Sequence, residues 1–168
     1  MKRALMAATL VAVLVAIPTA AGASPHETRW RGPCSTWQYG EALTSPAKFN
    51  ADLERSHRMM RRLAACLFAR FDAGPVPEYV IERESGWNPW ATNPNDGHSC
   101  RPFTGGNYGS CGLAQHLSRY WEGRMRAYLR PGWFRRWPVG PLDPRASLMA
   151  MAKMVRAQGG VCPAWCIR

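Results

Sequence analysis

Apolar and polar residues alternate along this chain mostly with a helical period. Phe49, Leu53, Met60, Leu63, Ala64, Leu67 and Phe71 recur at three-, four- and seven-residue steps, which predicts one long helix with a single buried stripe. Ser45-Pro46 marks its start: a serine caps the first amides, and a proline suits the first helical position. Gly74-Pro75 ends it, and Arg55, Arg58, Arg61 and Arg62 lie mostly off the stripe, as a solvated face would. A second, short helix is expected over 76–84, with Pro77 near its start and Val80 and Ile81 turned to the core. Gly86, Asn88 and Pro89 stop it. Residues 87–111 are rich in Asn, Gly, Pro and Ser and read as loop, with a small hairpin around Gly105-Gly106-Asn107. Helical spacing returns from Leu113 through Leu117, Tyr120, Trp121, Tyr128 and Leu129, until Pro131-Gly132; Tyr120 and Trp121 are expected to pack. The last helix is capped by Asp143, carries Leu148, Met151, Met154 and Val155 as its stripe, and closes at Gly159-Gly160. Methionines at that spacing are core filler. The fold class is mainly α with one long loop and little strand, and no repeat is present.

The N-terminus changes the picture. Lys2 and Arg3 precede an apolar run over residues 4–17, Pro18 ends the run, and Ala21-Gly22-Ala23 offers small residues to a signal peptidase, so 1–23 is expected to be a cleaved export signal. As a membrane anchor the run falls short of the roughly 20 residues a spanning helix needs. Removing Lys2 and Arg3 leaves 20 basic against 11 acidic residues, a formal +9. Such a surface favours polyanions, namely anionic cell-wall polymers, membrane head groups or nucleic acid, and charge alone does not choose among them. No finger spacing, heptad or RNA signature points to nucleic acid. The six cysteines, Cys34, Cys66, Cys100, Cys111, Cys162 and Cys166, read in an exported chain as three disulfides, for which 15 connectivities are open. Cys100–Cys111 and Cys162–Cys166 are near enough for local bridges, which would leave Cys34–Cys66. A zinc set of His98, Cys100, Cys111 and His116 matches no common spacing, and no metal or other cofactor is expected.

The chemistry-bearing stretch is Ile81-Glu82-Arg83-Glu84-Ser85-Gly86-Trp87-Asn88-Pro89-Trp90. At about 100° per residue, Glu82 and Glu84 point nearly opposite ways on a helix, so they do not form a catalytic pair. Glu84 at the last turn would feel the negative end of the helix dipole, and Trp87 and Trp90 would shield it from water. Both effects favour an acid able to donate a proton to a leaving oxygen. Trp87, Trp90 and Tyr108 are candidates for stacking on sugar faces. Asp96 is the local candidate for a second carboxylate, although Asn95-Asp96-Gly97 is also strong turn chemistry.

Glu84-Ser85-Gly86-Trp87-Asn88-Pro89, Asn93-Pro94 and Gly112-Leu113-Ala114-Gln115 together resemble the signature of the lysozyme-like lytic transglycosylases, in which Gly-Leu-x-Gln opens the next helix. Residues 116–125 and 142–160, with Trp165 beyond, also resemble exported lysozyme-like domains of actinobacteria. The resemblance implies an α+β lysozyme-like domain over 76–168, following an extension over 24–75 that matches no known pattern. It implies a monomeric secreted enzyme that cuts peptidoglycan between N-acetylmuramic acid and N-acetylglucosamine. Glu84 would be its single acid/base, with Ser85 and Gln115 lining the cleft and holding substrate or the glutamate. Ala114 stands where a larger residue is usual, which would leave that side of the cleft roomier, and Ser147 stands where asparagine is more frequent. A hydrolytic muramidase using Asp96, a wall-binding module without turnover, and a basic membrane-active protein are the alternatives.

Overall fold

Ser45 opens the helical part of the chain as its sequence context predicts. In the computed structural model, which describes residues 32–34, 45–93, 109–134 and 137–160, its side chain accepts a hydrogen bond from the Lys48 amide at 3.2 Å, and α1 runs Pro46–Ala51. The single long helix expected from the apolar stripe is instead two. Asp52 leaves helical geometry at φ −145°, ψ 80°, and its carboxylate accepts from the Arg55 amide at 3.0 Å, capping α2, Leu53–Arg70. An aspartate favours this outcome because its short side chain satisfies amides that a continuing helix would occupy otherwise. Ser56 seals the corner by donating its hydroxyl to the Phe49 carbonyl at 3.0 Å. The break rotates Leu53 out of the stripe, where it is exposed, while Phe49, Met60, Leu63, Ala64 and Leu67 are fully buried. Phe68 joins them.

The architecture is mainly helical. The short helix α3, Glu78–Ser85, buries Val80 and Ile81 as expected and ends at Gly86, which takes the left-handed conformation. A two-stranded antiparallel hairpin follows, β1 Ser110–Cys111 and β2 His116–Leu117, with Cys111 opposite His116. Then come α4, Ser118–Tyr128, a 3-10 turn at Pro131–Trp133, and α5, Pro144–Gln158. Asp143 caps α5 by accepting from the amides of Arg145 and Ala146 at 2.9 and 3.2 Å. The centre of the molecule is α5. Ala146, Leu148, Met149, Ala150, Met151 and Ala152 are all fully buried, and the helix packs on both α2 and α4. Its three buried alanines let neighbouring helices approach closely, and the methionines fill the gaps between them. The core cluster is shared by α1–α5, so the side chains of residues 49–68 pack with those beyond residue 76.

Two polar ties hold helix ends to this core. Arg156 of α5 donates to the Phe71 carbonyl at 2.9 Å, satisfying the end of α2. Lys153 donates to the Tyr128 carbonyl at 2.7 Å and lies 4.7 and 4.9 Å from the rings of Phe71 and Trp133. Burial, and secondarily Arg130, lower the Lys153 pKa.

Cys34 and Cys66 form a disulfide across a sequence separation of 32, as the pairing by elimination anticipates, and tie the lead-in segment to α2. Cys111 is also disulfide-bonded; Cys100, Cys162 and Cys166 lie outside the described residues. A loop of this length constrains the unfolded chain by about 3–4 kcal/mol in the chain-entropy model. The Cys34→Ala/Cys66→Ala double variant is therefore expected to lose about that much stability in urea unfolding, with a lower midpoint. Among the described residues, no helix is long and apolar enough to cross a membrane.

Candidate active site

The site is built at the C-terminal end of α3. Glu82 and Glu84 diverge as helix geometry requires: Glu82 meets Arg61 of α2 at 3.3 Å, while Glu84 lies away from that pair with its side chain one-quarter exposed. Arg61 also approaches Glu78 at 3.6 Å, so Glu78 and Glu82 anchor α3 to α2. Glu84 pairs with its chain neighbour, the Arg83 guanidinium, at 2.7 Å. This is a contact that sequence reasoning passed over, although adjacency alone could have suggested it.

After Ser85 the backbone turns sharply. Gly86 and Trp87 take φ +56° and +62° in succession, and the Asn88 amide returns to the Ser85 carbonyl at 3.0 Å. A left-handed tryptophan costs on the order of 1–2 kcal/mol, and the side chain holds it there by complete burial. This corrects the expectation for Trp87. Its ring belongs to the core beneath the Arg61 guanidinium, 5.0 Å from the ring centre, and offers no open face to a sugar. Trp90 is half-buried against the core, and its amide is held by the Asn88 side chain at 2.9 Å. The indole N–H groups of both tryptophans are buried and have no acceptor among the described residues. Tyr108, Asp96 and His98 lie outside the described residues, as does the hairpin expected around 105–107.

Gly112-Leu113-Ala114-Gln115 does not open a helix. These four residues form the turn of the β1–β2 hairpin, and α4 begins only at Ser118. The turn needs φ +76° at Gly112 and φ +44° at Gln115, which breaks the helical path that the spacing of apolar residues suggested. The hairpin is laid against the segment leaving α3: Thr92 bridges Cys111, the Asn93 amide donates to the Ser110 carbonyl at 3.2 Å, and the Gly112 amide donates to the Ala91 carbonyl at 2.9 Å. Gln115 reinforces this junction. Its side-chain amide donates to the Ala91 carbonyl at 3.2 Å and to the Gly112 carbonyl at 3.0 Å. Among the described residues no hydrogen bond links Gln115 to Glu84. Ser85 likewise spends its hydroxyl on the Ile81 carbonyl at 3.0 Å. Both residues shape the backbone around the acid and do not grip it. Ala114 is fully buried, so its small size serves packing and does not widen a cleft.

Behind the hairpin lies a polar cluster with no sequence signature, because its members are 8 to 33 positions apart. The Ala114 amide donates to the Ser147 hydroxyl at 3.3 Å, and His116 Nε2 donates to the Ser147 carbonyl at 2.9 Å. His116 Nδ1 then accepts from Arg124 at 2.9 Å, which selects the neutral Nε2–H tautomer. Trp121 packs on the imidazole at 5.0 Å and donates its indole N–H to the Val139 carbonyl at 2.6 Å. Tyr120, expected to pack beside it, is exposed and stands between Arg119 and Arg124. One helical step of about 100° carries it off the face that Trp121 and Met125 bury.

Burial first, and the nearby Arg124 charge second, pull the His116 pKa down to about 3, against a smaller opposing effect of the Ser147 carbonyl. The unfolded chain therefore binds a proton that the folded one refuses between pH 6.5 and about 3. Stability is expected to fall as pH drops through that window, by up to about 1.4 kcal/mol per pH unit from this residue. Urea unfolding between about pH 6.5 and 5, above most carboxylate titration, isolates the effect. His116→Gln should flatten the slope whatever it costs at neutral pH.

No known protein family, curated protein or solved structure matches this chain. What the site can do is therefore argued from Glu84 and its surroundings. A carboxylate at the end of a short surface helix, partly screened from solvent and followed by a hydrogen-bonded loop, can exchange a proton with a bound ligand at a defined position.

Proposed function

We propose that this chain is an exported glycosidase that cleaves the glycan strands of peptidoglycan, a lytic transglycosylase on a lysozyme-like fold with Glu84 as its one acid/base. The observation that carries the reading is Glu84 at the end of α3, partly screened and facing only its chain neighbour Arg83 among the described ion pairs, while Glu82 is committed to Arg61. In that role Glu84 protonates the oxygen bridging N-acetylmuramic acid to N-acetylglucosamine. It then takes the proton of the muramyl 6-hydroxyl as that oxygen attacks the anomeric carbon, closing a 1,6-anhydro ring. Atoms and charge balance with one carboxyl group and no added water. Gly112 and Gln115 set the hairpin turn, and Gln115 ties it to the loop leaving α3. In this reading Trp90, partly buried in the loop leaving α3, contacts a sugar ring. The excess of basic residues suits an anionic wall.

Mass spectrometry of purified walls digested by the protein tests the proposal. Fragments ending in 1,6-anhydromuramic acid are expected. Reducing muramyl ends would mean a hydrolase that uses water and a second group, and walls left intact would remove the catalytic reading altogether.

A further inference from the structure

A concave surface lies along the C-terminal half of α4, and among the described residues that line it are neither Glu84 nor its neighbours. Met125, Arg126 and Leu129 lie three, four and seven residues after Glu122, so the four share one face of the C-terminal half of α4 and its cap. Pro131 of the 3-10 turn and the Trp137-Pro138 pair close the opposite side, leaving a cleft of about 430 Å³, within the roughly 300–1,000 Å³ that small-molecule sites occupy. Met125 and Leu129 are core residues, 2 % and 5 % exposed, so the cleft has a firm floor. Trp137 is different. It is 36 % exposed, one of few large apolar side chains left at the described surface, and it stands at the mouth of this cleft.

The charges on the lining narrow the ligand class. Glu122 and Arg126 pair with each other at 2.5 Å, so among the described residues the lining carries no net charge although the chain as a whole is strongly basic. A polyanion gains little here. The pair still offers hydrogen bonds outward, since Arg126 has further N–H donors and Glu122 a second oxygen, and both side chains are more than half exposed. An uncharged ring with an apolar face for tryptophan, and with a hydroxyl beside an acetamido group for a carboxylate and a guanidinium, matches both halves of the cleft. We infer that the cleft between α4 and Trp137 binds a neutral sugar ring of a glycan chain, as a docking subsite outside the Glu84 site. The inference deepens the peptidoglycan reading and rests on it for the kind of sugar, an N-acetylhexosamine.

The test follows the indole N–H resonance of Trp137 in the ¹⁵N-labelled protein, assigned with Trp137→Phe, during titration with the neutral tetramer of N-acetylglucosamine. A saturable shift with a Kd on the order of 1 mM is expected, as for a small one-ring contact. Glu84→Gln should keep the shift. Arg126→Ala, a change on an exposed rim, should weaken binding at least threefold while leaving the thermal midpoint in place. No saturable shift, or one produced by a proline-rich peptide or by polyglutamate and not by the tetramer, would overturn the inference. A Trp137 response in a protein that leaves walls intact would sink the glycosidase reading and keep the cleft. Wall cleavage with a silent Trp137 would do the reverse.

Discussion

Replacing Glu84 by glutamine is expected to lower wall-cleaving turnover by about 100-fold to 10,000-fold, the range a positioned general acid/base supplies. That corresponds to about 2.7–5.4 kcal/mol of transition-state stabilisation at about 1.36 kcal/mol per decade. Glutamine keeps the shape and hydrogen-bonding capacity of the side chain but cannot give up or accept the proton. The substitution also removes the charge facing Arg83, a partly exposed pair between chain neighbours whose loss has little effect on folding. The thermal midpoint should therefore stay close to that of the parent, and zymograms of the two proteins at equal loading read the catalytic effect cleanly. Glu82→Gln is the matched control. It loosens the contact with Arg61 and should retain activity, because that carboxylate faces α2. Equal activity in Glu84→Gln and parent would remove Glu84 from the chemistry.

The largest structural effect is expected at Gly112. Its φ of +76° already disfavours any residue with a Cβ, and a Cβ added there would overlap the Pro141 carbonyl oxygen and lie 3.1 Å from its carbonyl carbon. Neither atom can rotate aside as a flexible side chain would, because both belong to the backbone entering α5. Gly112→Ala therefore combines a left-handed penalty of about 1–2 kcal/mol with a forced displacement of the turn from α5. A total loss of about 3 kcal/mol or more is expected. Gly86→Ala provides the comparison, since Gly86 is also left-handed but nothing lies within 4 Å of the place its new methyl group would take. That variant should lose only about 1 kcal/mol. Urea unfolding of the two variants separates backbone strain from steric conflict, and equal losses would show that the contact with Pro141 contributes nothing.

Trp87, Ala114 and Tyr120 show where local pattern misleads. An aromatic residue after a helix stop can face either solvent or core, and Trp87 enters the core because Gly86 and Trp87 both turn left-handed. The apolar residues from Leu113 onward keep a helical rhythm, yet Leu113 and Ala114 are buried in a β-turn. Hydrophobic spacing records which residues are buried, and a tight turn against a helix can bury consecutive residues as well as a helix face can. At Asp52 the competing signal was visible in the sequence, since a capping residue interrupts the stripe, but the stripe was the longer pattern.

Local chemistry along the chain was sufficient for the elements with strong end signals. Ser45-Pro46, Asp143-Pro144 and Gly86 specify helix ends through hydrogen bonds and φ preferences that involve only neighbouring residues. The divergence of Glu82 and Glu84 follows in the same way from the rotation of a helix. Tertiary structure alone decided what those elements meet: Arg61 against Glu82, Ser147 behind the hairpin turn, and Arg124 on a buried neutral His116. These contacts join residues 8 to 33 positions apart through burial, close approach and the exclusion of water. None of those quantities is a property of a short stretch of chain.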